Sequence, residues 1–152
     1  MFETNYTWLQ PKTDWKIEYD SEGNYTGDYF EPEDYNRIKN NVNYLKDFAQ
    51  YLYVCNPVFE DLGEDVYYGS ANELTASWWG RLQKNLEEIN AKTLTLELGN
   101  KSFFSGNMPG RLLEELIRVE TICLSMYTIF SVIEKNKPRL AFRLGNMKGI
   151  KI

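Results

Sequence analysis

Residues 112–133 read LLEELIRVETICLSMYTIFSVI, and this stretch sets the centre of the fold. Leu112, Leu116, Val119, Cys123, Met126, Phe130 and Ile133 recur at alternating steps of three and four, the signature of a helix with one buried stripe. Leu113, Ile117, Leu124, Tyr127 and Val132 add apolar surface elsewhere around the helix, which predicts the most buried helix of the chain. Arg118, Glu120 and Ser125 interrupt it, so a membrane span is not expected. Glu120, near Arg118 in an apolar helix, is the one acid to inspect for burial, because a buried carboxylate must find a partner.

Two other segments carry the same period. Tyr35, Ile38, Val42, Leu45, Ala49 and Leu52 form an unbroken stripe, with Asn36, Lys39, Asn40, Asn43 and Lys46 on the opposite face. That helix begins at Glu31-Pro32-Glu33-Asp34, with proline pre-set for a first turn and acids at the positive end of the dipole, and must stop near Asn56-Pro57. Trp79, Leu82, Leu86 and Ile89 mark another helix, and Ser70-Ala71-Asn72-Glu73 has the form of a capping box at its start.

Between the helices the period falls to two, the spacing of a half-buried strand. Leu94, Leu96 and Leu98 precede Gly99, Leu140, Phe142 and Leu144 precede Gly145, and a weaker copy, Val58, Glu60 and Leu62, precedes Gly63. Tyr67-Tyr68 and Phe103-Phe104 follow the first two turns, so strand, glycine turn and strand predict hairpins. At the N-terminus, Trp15, Ile17 and Tyr19 lead through the turn Asp20–Asn24 to Tyr29-Phe30 in a similar outline. The helices align on Arg37, Arg81 and Arg118, each followed by an aliphatic residue. The expected fold is therefore α+β and mainly helical: three packed helices alternating with short β-hairpins, in an internal helix-plus-hairpin repeat. One domain over 1–152 would comprise an aromatic extended arm or hairpin at 1–30, a three-helix region at 31–136 and a basic C-terminal hairpin at 137–152.

Composition narrows the function. The chain of 152 residues has no histidine, which removes the commonest general base and the commonest imidazole metal ligand. No phosphate-binding glycine pattern and no metal-ligand cysteine spacing occur, so no catalytic, cofactor-binding or metal residues are assigned. Cys55 and Cys123 read as reduced, buried thiols. A net charge of −5 argues against nucleic acid as the main partner, although Lys135, Lys137, Arg139, Arg143, Lys148 and Lys151 make the end of the chain basic. That end is expected to dock on an acidic surface of the same chain or of a neighbouring subunit. The first thirty residues hold no apolar run flanked by basic residues, so no signal peptide is expected.

Candidate interaction residues are Trp8, Trp15, Tyr29, Arg37, Arg81 and Arg118. Each arginine offers a fixed fork of donors to a carboxylate, or else covers apolar surface with its stem. Of 23 aromatic residues, 18 precede position 80. They read as core packing, as protein-interface anchors or as stacking platforms for sugars. Adjacent acids such as Glu87-Glu88 point in different directions on a helix and are not preassembled acid–base dyads.

Lys12-Thr13-Asp14-Trp15, Tyr29-Phe30 and Asp34-Tyr35-Asn36-Arg37-Ile38-Lys39-Asn40-Asn41 together resemble the N-terminal part of structural proteins encoded in tail regions of phages and prophages of Gram-positive bacteria. The likeness is clearest over residues 12–50. It rests on an Asp-x-Asn-Arg-Ile helix after a Trp-containing arm. The second helix keeps Arg81 and Asn85 but has Gly80 before the arginine, and the third has Ile117 there. The resemblance implies a virion component, tail or baseplate-associated, made in the bacterial cytoplasm and working in many copies bound to itself or to other tail proteins. It implies no catalytic residue and no cofactor. An aromatic-rich carbohydrate-binding module is the alternative, and a carboxylate-dependent hydrolase is a third reading.

Overall fold

The computed structural model describes residues 2–67, 76–94 and 109–151, with the backbone alone for 76, 109–112 and 137–151. It contains three helices, α1 Pro32–Tyr53, α2 Ala76–Ala91 and α3 Pro109–Lys151. Pro32 occupies the first turn of α1, where its missing N–H has no carbonyl to serve. The backbone N–H of Glu31 donates to Asp34 Oδ2 at 2.9 Å, tying the entering chain to that turn. The helix stops at Val54, which takes a left-handed conformation with φ of 49°, and Pro57 follows.

The expected β-hairpins are not there: among the described residues there is no strand and no sheet, and the chain is predominantly helical. Around Asp20–Asn24 a turn is closed by one isolated antiparallel bridge, Tyr19 to Tyr25. Residues 54–67 form neither helix nor strand. Positions 137–151, expected as a basic hairpin, continue α3. Five alternating residues such as Leu140–Leu144 fit a short strand or part of a helix equally well, and the helix continues through Pro138. The hairpin expected at Leu94–Phe104 falls almost wholly outside the described residues, as do the capping box at Ser70–Glu73 and Tyr68.

Extended stretches nonetheless have a fixed role, which is to return the chain between parallel helices. From Arg37 to Tyr51 on α1, the partners on α3 advance equally, from Glu120 through Tyr127 and Phe130 to Glu134. α2 runs the same way, for its beginning meets the beginning of α1 where Trp78 stacks on Tyr35 at 4.2 Å. Between them, residues 54–67 run backwards: Val58 bonds Glu88, Glu60 bonds Asn85, Leu62 bonds Trp78 and Val66 bonds Asn36. The N-terminal arm also runs against α1, with Phe2 stacked on Phe48 at 4.4 Å and Leu9 bonded to Asn41.

The core joins Ile38, Val42, Leu45, Trp78, Trp79, Leu82, Leu86, Leu116, Val119, Met126 and Phe130. α3 was expected to be the most enclosed helix, yet it exposes Thr121, Ser125, Thr128 and Val132 along one side. α2 is more enclosed, with Gln83, Asn85 and Asn90 buried beside its apolar residues. By length and composition alone Leu113–Asn136 could cross a membrane, at a mean hydropathy of 1.6. Here one side of it forms the inner face of the bundle and carries a buried charge.

Candidate functional site around Glu120

The Glu120 side chain is 1% exposed and sits where the arm, α1 and α3 meet. Four donors fill its oxygens. Arg37 donates from Nε to Oε1 at 2.7 Å and from Nη2 to Oε2 at 2.9 Å, a bidentate fork. From the arm, the Trp15 indole Nε1 donates to Oε2 at 3.1 Å and the Lys12 backbone N–H to Oε1 at 3.2 Å. Arg37 has one more partner, Asp34 Oδ1 at 2.7 Å from Nη1. Burial by itself would lower the ionisation range of Arg37, but the hydrogen bonds and charges of Glu120 and Asp34 override it and hold the guanidinium above its usual value. Glu120 is thus a latch for the arm, and the arginine that serves it is Arg37 rather than its sequence neighbour Arg118.

Asparagines provide the other ties. Asn41 accepts from the Leu9 N–H at 3.0 Å and donates to the Leu9 carbonyl at 2.8 Å. Asn85 does the same to Glu60, at 2.7 and 2.9 Å, and Asn36 to Val66, at 2.8 and 2.9 Å. A carboxamide carries one donor and one acceptor side by side, so it pairs with one residue of extended backbone as a neighbouring strand would. These clamps satisfy backbone groups that no sheet reaches. Lys39, expected on a solvated face, is buried and holds the Gly63 carbonyl and Asp65.

The other interaction candidates divide by exposure. Trp8 lies flat on Tyr127, with ring centroids 4.1 Å apart and planes at 4°, packed against the core. Trp15 is buried, with Lys12 Nζ 4.3 Å above its ring. Tyr29 is 61% exposed, edge-on to Tyr25, with its hydroxyl donating to the Tyr25 carbonyl. Arg81 donates from Nη1 to the Asp61 carbonyl at 2.7 Å. Arg118 bonds Glu115 of its own helix and Gln83 of α2. The three arginines share a register and have different partners, so they do not converge on one site.

Ionisation follows the same structural logic. Backbone N–H groups hold Asp20, Asp28 and Glu88 below the usual carboxylate range, and the Lys84 ammonium does so for Glu60. Burial pushes the Cys123 thiol well above its ordinary value. Among the described residues, no group of three or more Cys, Asp or Glu side chains is arranged to hold a metal ion. An open polar hollow of about 430 Å³ lies between the arm and the end of α1, lined by Glu3, Thr4, Asn5, Asp47 and Gln50, with Thr4 Oγ1 bonded to Asp47 at 2.6 Å.

Sequence reasoning singled out Glu120 but missed Asn41 and Asn85 as ties. The signal that could have found them is the shared Arg-x-x-x-Asn spacing, Arg37 to Asn41 and Arg81 to Asn85. Comparison with protein-family models, with curated proteins and with solved structures gives no match to this chain.

Proposed function

We propose that this chain is a non-catalytic assembly protein, a phage or prophage tail or baseplate-associated component that works through protein–protein contacts in many copies. One observation carries the reading: the side chains best suited to chemistry are spent on holding the chain to itself. Glu120 has all its donors from the arm and α1, and the acids with displaced ionisation are displaced downward, away from general-acid behaviour.

The tail setting comes from the sequence resemblance, and the Asp, Asn, Arg and Ile of its helix motif each have a structural task. Asp34 ties the start of α1 and holds Arg37, Asn36 clamps Val66, Arg37 holds Glu120 and Ile38 lies in the core. What remains outside is an arm with exposed Tyr6, Leu9, Ile17, Tyr19 and Tyr29. Such mixed aromatic and polar surface suits a protein interface. Among the described residues the carbohydrate-binding alternative keeps Tyr6, Tyr19, Tyr29 and Tyr67 as exposed rings, since Trp8 and Trp15 are engaged inside.

The test is mass spectrometry and immunogold labelling of purified particles from a producing strain, with a glycan array in parallel. The protein should be found in particles at a fixed copy number. Absence from particles would end the tail reading, and glycan binding lost on Tyr29→Ala would replace it with the alternative.

A further inference from the structure

The body of the chain and the extension of α3 carry opposite charge. All 22 acidic residues precede position 135, with 11 of the 17 basic ones, so residues 1–134 carry −11 and residues 135–152 carry +6. The acids are spread over the body, Glu3, Asp47, Glu88 and Glu134 lying toward the end where α1 and α2 stop. At the starting end lie the arm turn with Asp14, Glu18, Asp20 and Glu22, the first turn of α1 with Glu33 and Asp34, and Asp65 beside Lys39. At the other end α1 stops at Tyr53, packed beside Phe130, and α2 stops at Ala91. α3 continues to Lys151, and the 15 residues from 137 add about 22 Å of helix at 1.5 Å per residue.

We propose that this basic helical extension docks on the acidic arm turn of a second copy of the chain, joining copies head to tail. The same chain cannot supply the acceptor. Trp15 fixes the arm turn near Glu120, and position 143 lies 23 residues further along one continuous helix, about 35 Å away. Arg139 and Arg143 stand one turn apart on that backbone, interleaved in sequence with Leu140 and Leu144. The turn offers the matching chemistry, exposed Glu18, Asp20 and Glu22 beside exposed Ile17, Tyr19 and Tyr29. A second feature marks the basic end: Val54 is 91% exposed and left-handed, and Val58 is 67% exposed, so apolar surface is open where a neighbour would arrive. A head-to-tail contact is heterologous and generates rings or filaments rather than a closed pair.

This inference rests on the assembly reading, but solution mass tests it separately from the tail setting. Sedimentation velocity at low salt should show the full chain growing beyond a dimer with concentration, and dissociating as salt is raised. Arg139→Glu with Arg143→Glu should abolish growth, and so should Glu18→Lys with Glu22→Lys. Mixing the two variants brings together a native contact and a charge-swapped one, both complementary, and should restore growth. A monomer at every concentration, growth unchanged by either charge reversal, or a mixture that stays monomeric would each overturn the proposal. Retention of DNA lost on the arginine reversal, with no change in mass, would assign the basic helix to nucleic acid instead. Absence from particles with self-association intact would remove the tail setting and leave the contact standing.

Discussion

Replacing Glu120 by glutamine should unlatch the arm. The carboxylate accepts two bonds from Arg37, one from Trp15 and one from the Lys12 amide. Glutamine keeps the shape but offers one acceptor and one donor group, so two of the four donors face another donor whichever way the amide turns. Each buried donor left unsatisfied costs about 1–3 kcal/mol, and breaking a buried ion pair costs roughly 3–5 kcal/mol. Asp34 still holds Arg37 at 2.7 Å, which keeps the guanidinium partnered and moderates the loss. The expected destabilisation is therefore about 3–4 kcal/mol, or roughly 10 °C in melting temperature for a domain of this size.

Urea unfolding followed by intrinsic fluorescence measures the loss, and trypsin digestion localises it. Trp15 should move to a wetter environment with a red-shifted emission, and cleavage at Lys12 and Lys16 should precede global unfolding. Lys84→Gln is the control, because Lys84 and its partner Glu60 form an ion pair at the surface. It should cost no more than about 1 kcal/mol. A Glu120→Gln protein within about 1 kcal/mol of wild type, or no weaker than Lys84→Gln, would refute the latch.

Three further outcomes follow from particular residues. Val54→Gly should raise stability by about 0.5–1 kcal/mol, since a left-handed non-glycine residue costs roughly 1–2 kcal/mol and glycine returns part of that as chain entropy; a lower melting temperature would contradict it. Cys123 should resist a thiol reagent in the native state at pH 8 while Cys55, half-buried, reacts first, because burial raises the Cys123 thiol the furthest; equal labelling rates would contradict this. Asp20, Asp28, Glu60 and Glu88 lie below their unfolded values, so the stability they confer is present above about pH 4 and lost as pH falls through the folded values. Melting temperature should be flat from pH 5 to 7 and fall below pH 4, and a rise on acidification would contradict the assignment.

The helical content was legible because the buried side of each helix is mainly apolar. Ile38, Val42, Leu45 and Ala49 of α1, and Leu116, Val119, Met126 and Phe130 of α3, are buried as their spacing predicts. The polar side was not legible for the same reason. Lys39 and Asn41 read as solvated because periodicity separates apolar from polar and cannot tell water from a length of extended backbone as the polar partner. Alternation along Val58–Leu62 did not mark a buried face: Val58 is exposed, Leu62 is buried, and the helices are met by backbone groups of this stretch. Glu120 could be named from its apolar surroundings, but Arg37 lies 83 positions away and no local pattern joins them.

The shared arginine register acquires a different meaning once the extended stretches are seen as returns. In α1 the sixth and tenth helical residues are Arg37 and Asn41, and in α2 they are Arg81 and Asn85. In both, the asparagine clamps the extended segment that precedes its own helix, Leu9 for α1 and Glu60 for α2. The repeated unit is therefore an extended return followed by a helix, held by a carboxamide, rather than a helix followed by a hairpin. α3 has Ile122 where the asparagine would stand, and Glu120 lies two residues before it. That glutamate gathers Arg37, Trp15 and Lys12 from the first unit. The last helix thus closes the bundle by binding the first unit's arm.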